Sequence, residues 1–196
     1  MAAKLPLVLA SGSPRRVMLL HELDIPFTQV IPQIEEKRYP DEAPDTYAER
    51  LAKEKAQTGQ RMSSPEAVVI GCDTIVVLDN RVLEKPDSPE HALEMLSRLV
   101  GRRHTVCSAV ALAGPENRIV AGCERTDVYF NHVQREQLLE YIRSGEPLDK
   151  AGAYGIQGAG GFLVDRIEGN LDTVIGLPRR LLDALAGQML SLLQEV

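Results

Sequence analysis

Short apolar runs alternate along this chain with stretches whose apolar residues recur every three or four positions, the pattern of strands interleaved with helices. Leu5 to Ala10 predicts a first strand. A helix follows, with Ser13 as N-cap, Pro14 at its first position, and Met18, Leu19, Leu20 and Leu23 at helical spacing. Phe27 to Ile31 predicts a second strand, and Tyr47 to Met62 a helix capped by Asp45. Ala67 to Leu78 is a β-rich run that pairs with Arg81 to Glu84 through an Asp79-Asn80 turn. Ser88 caps a third helix, whose packing face is Ala92, Leu93, Leu96 and Leu99. His104 to Leu112 and Ile119 to Phe130 predict two antiparallel strands joined around Gly114-Pro115, and Gln134 to Ser144 a helix. A glycine-rich loop from Gly152 to Gly161 leads to strands near Phe162 to Ile167 and Thr173 to Ile175. Gly176-Leu177-Pro178 opens a last helix that packs through Leu181, Leu182, Leu185, Met189 and Leu192. This alternation predicts an α/β (α+β) fold, a mixed twisted sheet with flanking helices. No repeat or long linker divides the chain, so residues 1–196 read as a single domain.

Composition narrows the partners. At 196 residues, 44% hydrophobic and 26% charged, the chain can bury a sizeable core. Its net charge of −6 argues against polymeric nucleic acid, which is normally met by a basic surplus, but allows a small anion in a local basic pocket. Cys72, Cys107 and Cys123 are odd in number and lack CxxC spacing, so they read as buried thiols in a reducing compartment. There is no signal-peptide pattern and no run near the ~20 apolar residues that span a bilayer. The expectation is a cytoplasmic protein without a membrane partner.

Against that background a few charged residues stand out. Arg15 and Arg16 fall in the first turn of the first helix, where the macrodipole disfavours each cation by roughly 0.3–1 kcal/mol. Either an anion sits there, with Ser11 and Gly12 lending a hydroxyl and open backbone, or the arginines are simply solvated. Asp73 interrupts an apolar strand, so its carboxylate is paired, metal-bound or protonated, unless it ends the strand and caps a turn. Lys55 lies on the packing stripe of Ala48, Leu51, Ala52 and Ala56, and either snorkels to water or points its ammonium into a cleft. Lys85 is held extended by Pro86. Glu35 and Glu36, after a strand at Ile34, are divalent-cation ligands or solvated loop charges. The stretch from Lys150 to Gly161, with Gln157 inside it, fits neither the Walker pattern nor GxGxxG, and is a binding loop of another kind or a flexible one. His21, His91, His104 and His132 lack metal-ligand spacing and read as surface or core residues. The remaining cations and carboxylates are the inventory for metal-assisted attack of water on a phosphate ester.

Six colinear segments carry a family resemblance: Ala10 to Arg16, Arg50 to Ala56, Gly71-Cys72-Asp73-Thr74, Leu83-Glu84-Lys85-Pro86, Asp149 to Gly158, and Gly176-Leu177-Pro178. Together they resemble the Maf family of nucleotide pyrophosphatases, from Leu7 to about Pro178, and within it the dTTP/UTP pyrophosphatase branch. The resemblance implies two lobes around a deep cleft, a fold related to the inosine triphosphate pyrophosphatases. It also implies hydrolysis of a nucleoside triphosphate to monophosphate and pyrophosphate with a divalent cation, Mg²⁺ or Mn²⁺. By the same resemblance Asp73 is the proton acceptor. Ser11, Arg15, Arg16, Lys55 and Lys85 contact phosphates, and Glu36 joins Asp73 in binding metal. Arg15, Thr74 and Gln157 set the base, where the 7-methyl-GTP branch carries Trp, Gln and Glu. The segment Asn170-Leu171-Asp172-Thr173 departs from the family pattern in lacking an aromatic residue. Family analogy points to a homodimer. Two rival readings accompany this one: a purine, inosine or 7-methyl-GTP pyrophosphatase on the same scaffold, and a nucleotide-binding regulator of cell division without turnover.

Overall fold

The computed structural model describes residues 5–194. Its elements in chain order are β1 (Leu7–Ala10), α1 (Pro14–His21), β2 (Thr28–Val30), α2 (Pro44–Arg61), β3 (Val68–Leu78), β4 (Arg81–Leu83), α3 (Pro89–Leu99), β5 (Arg103–Ala113), β6 (Ile119–Phe130), α4 (Arg135–Arg143), β7 (Val164–Glu168), α5 (Leu171–Ile175) and α6 (Arg179–Gln194). The strands form one mixed sheet in the order β2-β1-β3-β5-β6-β7, with β4 on β3. β1 runs parallel to both β2 and β3, whereas β4 and β7 are antiparallel to their neighbours. Asp79 and Asn80 both take positive φ, 50° and 62°, as a two-residue hairpin turn requires.

The chain divides into two compact units. Among the described residues the first comprises 5–73, 108–124 and 176–194, and the second 74–107 and 125–175. In the first unit, Val8, Ala10, Ala67 and Val69 form a buried cluster with Val30 against it. Here α2 meets the sheet at glycines. A Cβ on Gly71 would lie 2.2 Å from the Ala52 carbonyl oxygen and 2.4 Å from the Ala56 nitrogen. One on Gly59 would lie 2.6 Å from the Ala10 Cβ. The second unit has a core built from Val76, Leu83, Leu96, Val106, Phe130, Tyr154 and their neighbours. In that core His104 Nε2 is 2.7 Å from the Tyr154 hydroxyl, and the His104, Phe130 and Tyr154 rings meet edge to face.

Several local expectations are corrected. Thr173 to Ile175 belongs to helix α5, not to a strand. The buried Thr126 hydroxyl both donates to the Asn170 carbonyl (3.0 Å) and accepts from the Asn170 amide (2.9 Å), closing the turn from which α5 starts. This tertiary bond overrides the β-branched composition of Thr173-Val174. Asp45 lies inside the first turn of α2, and the N-cap is Ala43, because Pro44 starts the helix. Ser13 occupies the N-cap position of α1, but its side chain makes no capping bond. Ile34 lies in irregular chain, not in a strand. Cys72 and Cys107 are buried thiols as expected, but Cys123 is only half-buried.

Candidate active site

In the first unit the parallel pairing of β1 and β3 sets the site's frame. Ala10 is in register with Gly71, so Ser11 leaves the carboxyl end of β1 beside Cys72-Asp73. Ser11 is 5% exposed, and its hydroxyl accepts from the Ser13 amide and from Arg16 Nη1, each at 3.2 Å. Arg16 Nε donates to the Gly176 carbonyl at 2.9 Å, and Gln29 Nε2 donates to the Ser11 carbonyl at 2.7 Å. Arg16 is therefore fixed, which excludes the solvated-arginine reading for that residue. Arg15 is half-buried in the same turn, which contains no acidic residue.

Asp73 lies within β3 at 6% exposure, so it neither ends the strand nor caps a turn. Its Oδ1 accepts from Lys55 Nζ at 2.6 Å, and the same ammonium lies 2.7 Å from Glu36 Oε1. The Lys55 side chain is 12% exposed and does not snorkel to water. The close approach of α2 to Gly71 explains the geometry: Ala52 and Ala56 lie against Gly71, two strand positions from Asp73, and Lys55 lies between them on the helix. Glu36 and Asp73 thus converge on one cation. They offer hard carboxylate oxygens of the kind Mg²⁺ takes together with substrate phosphates. Among the described residues no group of three or more His, Cys, Asp or Glu gathers as a metal cage.

The segment carrying Glu36 has no regular structure, and Arg50 fastens it. Arg50 Nη2 donates to the Lys37 carbonyl at 2.9 Å, Nε and Nη2 grip the Glu42 carboxylate at 2.7 and 2.8 Å, and the guanidinium lies 4.1 Å above the Tyr39 ring. These Arg50 bonds hold the Glu42 carboxyl below the usual carboxylate range. The sequence marked Arg50 only as part of a motif. Nothing in the local pattern announces a contact with Lys37. Beside the cluster, burial pushes the Cys72 thiol up to about 11 against the pull of Arg16 and Lys55, so it is no nucleophile at neutral pH.

The second unit holds the remaining candidates. Thr74 is half-buried on β3, and Lys85 is exposed ahead of the buried Pro86. Gln157 is exposed in the glycine-rich stretch, which is folded into short 3₁₀ turns at Ala151–Ala153 and Ala159–Leu163. Lys150 Nζ donates to the Glu146 carbonyl at 2.8 Å and to Asp149 Oδ1 at 2.7 Å. The sequence reading missed Glu146 and Tyr141, which hold this stretch through its backbone amides.

The family model described as Maf-like protein matches residues 6–189. A dTTP/UTP pyrophosphatase of Vibrio parahaemolyticus is 50% identical over 180 residues, 91% of this chain and 94% of that one. Proteins of the same name from Escherichia coli and Pectobacterium atrosepticum are 49% identical over 172 residues, 88% of this chain and 87% of each. A solved nucleoside-triphosphatase / dITP/XTP pyrophosphatase of Mycobacterium abscessus aligns over 98% of both chains, with a TM-score of 0.46 and 15% identity. The family model and the three relatives about half identical in sequence each span most of the chain, and the chain belongs to the Maf-like protein family.

Proposed function

We propose that this chain is a nucleoside triphosphate pyrophosphatase that hydrolyses dTTP and UTP to the monophosphate and pyrophosphate. The observation that carries the reading is the Glu36–Lys55–Asp73 cluster, in a chain about half identical to proteins named for that activity. A protein that only binds a polyanion gains nothing from two carboxylates beside its cations, whereas a hydrolase needs a base. Asp73 accepts a proton from the water that attacks the α-phosphorus, and the bond to the oxygen bridging the α- and β-phosphates breaks. Ser11, Arg15, Arg16, Lys55 and Lys85 bind the phosphates and hold the departing pyrophosphate. Glu36 and Asp73 would hold a divalent cation, Mg²⁺ or Mn²⁺, which when bound neutralises charge on the phosphate oxygens.

Arg15, Thr74 and Gln157 select the base in this reading. A uracil or thymine edge presents carbonyl acceptors and one N–H donor, which the Gln157 amide can meet in two bonds. Thr74 is small enough to leave room for the ring. A cytoplasmic homodimer belongs to the same proposal, and sedimentation of the purified chain tests the dimer. The function itself is tested by a panel of nucleoside triphosphates with Mg²⁺ or Mn²⁺, assayed for pyrophosphate release. The expected result is pyrophosphate and monophosphate in one step, fastest from dTTP and UTP. Orthophosphate and nucleoside diphosphate as first products would overturn the chemistry, and faster turnover of dITP or 7-methyl-GTP would overturn the base assignment.

A further inference from the structure

The glycine-rich stretch is gripped on both sides of Gln157. Upstream, the Gly155 amide donates to the Tyr141 hydroxyl at 3.1 Å. Downstream, the Ala159 amide donates to Glu146 Oε2 at 3.0 Å and the Gly160 amide to Glu146 Oε1 at 3.4 Å. The two grips are joined, because the Tyr141 hydroxyl donates to Glu146 Oε1 at 2.9 Å. Successive amides such as those of Ala159 and Gly160 form a concavity suited to an anion. Here the chain's own carboxylate fills it, so these amides are not a free phosphate cradle.

The glycines agree with this use. A Cβ on Gly160 would lie 2.5 Å from the Tyr141 hydroxyl oxygen, and one on Gly158 would lie 2.9 Å from Glu146 Oε2. Gly158 also takes a φ of 138°, which other residues rarely adopt. The glycine density that suggested close approach to a ligand serves, at these two positions, close approach to Glu146 and Tyr141. Between the grips Gln157 remains exposed. Bonds to a carboxylate are stronger than neutral ones, so the clamp is well suited to preorganise that one side chain.

We propose that Glu146 and Tyr141 are positioning residues for base recognition, holding the loop so that the Gln157 amide is preset for the pyrimidine edge. This rests on the assignment of Gln157 to the base given above. Base contacts far from the reacting phosphorus contribute equally to ground and transition states, so losing them raises KM and leaves kcat alone. Glu146→Gln keeps the shape but places a donor where an acceptor is needed, and Tyr141→Phe removes a single oxygen.

The test measures kcat and KM for dTTP and UTP in Glu146→Gln, Tyr141→Phe, Gln157→Ala and the Glu146→Gln/Gln157→Ala double variant. For each clamp variant we expect KM to rise roughly 5- to 100-fold, the scale of a lost buried hydrogen bond, with kcat nearly unchanged. The double variant should be no worse than Gln157→Ala, because both changes remove one interaction. If Glu146→Gln fails to fold, Tyr141→Phe gives the same readout. An unchanged KM in the clamp variants, with a raised KM in Gln157→Ala, would overturn the clamp and leave the proposed function standing. Multiplicative effects in the double variant, or a fall in kcat, would also overturn it. If Gln157→Ala itself binds dTTP normally, the base assignment falls and the clamp's role falls with it.

Discussion

Lys55 and Asp73 form an ion pair whose side chains are 12% and 8% exposed, so removing one partner leaves the other's charge poorly solvated. If Asp73 is the base, Asp73→Asn should lower kcat roughly 10²- to 10⁴-fold while the chain stays folded. A variant keeping more than half of the wild-type kcat would make Asp73 purely structural. Both residues were legible in the sequence for one reason, a charge where packing expects an apolar side chain. That they answer each other, with Glu36 as third member, was not, because the pairing spans separate elements. His104 is a core residue of another kind, 2% exposed, with Nδ1 buried and without a hydrogen-bond partner among the described residues. Burial pushes its pKa from the ordinary 6.5 down to about 4, against a smaller opposing effect of Asp127. Between those values the unfolded chain binds a proton that the folded chain refuses, so stability is complete above pH 6.5 and is lost as pH falls toward 4. The loss between pH 6.5 and 5 should be on the order of 2 kcal/mol. Urea midpoints at the two pH values would measure it, and His104→Gln, which keeps a polar partner for Tyr154, should flatten the difference. An equal slope in that variant would place the pH dependence elsewhere.

At the level of elements, most boundaries could be read because hydrophobic period and turn chemistry agreed, as in the Asp79-Asn80 hairpin and the Ser88 cap, which accepts from the His91 amide at 3.2 Å. The failures share a cause. The β-branched Thr173-Val174-Ile175 reads as strand, yet the Thr126–Asn170 exchange decides for α5. The grips on the glycine-rich stretch were equally invisible, because they join Glu146 and Tyr141 to backbone amides many residues away. Helix α2 shows how one small residue sets a site. Its backbone rests on Gly71, and that contact brings Lys55 to Asp73. Gly71→Ala should force α2 off the strand, destabilise the protein by about 1–3 kcal/mol and reduce kcat together with stability. Chemical denaturation and steady-state kinetics on the same preparation check this. A wild-type denaturation midpoint would mean that α2 can yield without cost.

For the molecule as a whole, seven of the strands read from the sequence are present, without the one expected at Thr173 to Ile175, and their order was not legible, since nothing in a strand's own pattern names its neighbours. The sequence read one domain; the chain passes between the two compact units within β3, β5 and β6 and again at Ile175-Gly176, and no long linker marks these crossings. The net charge of −6 argued only about partners, and the candidate cations had to be found one by one. Cys72 carries a consequence for how such a molecule can be watched. It is fully buried in β3 beside Asp73, with its thiol pushed up to about 11. Iodoacetamide can therefore alkylate it only while the strand is transiently open, whereas the half-buried Cys123 should react first. Peptide mass spectrometry would then make Cys72 a clock for opening at the site. A nonhydrolysable dTTP analogue at a hundred times its Kd should slow that clock about 100-fold, because only the closed form binds. An unchanged labelling rate would mean that β3 opens without dismantling the proposed nucleotide site.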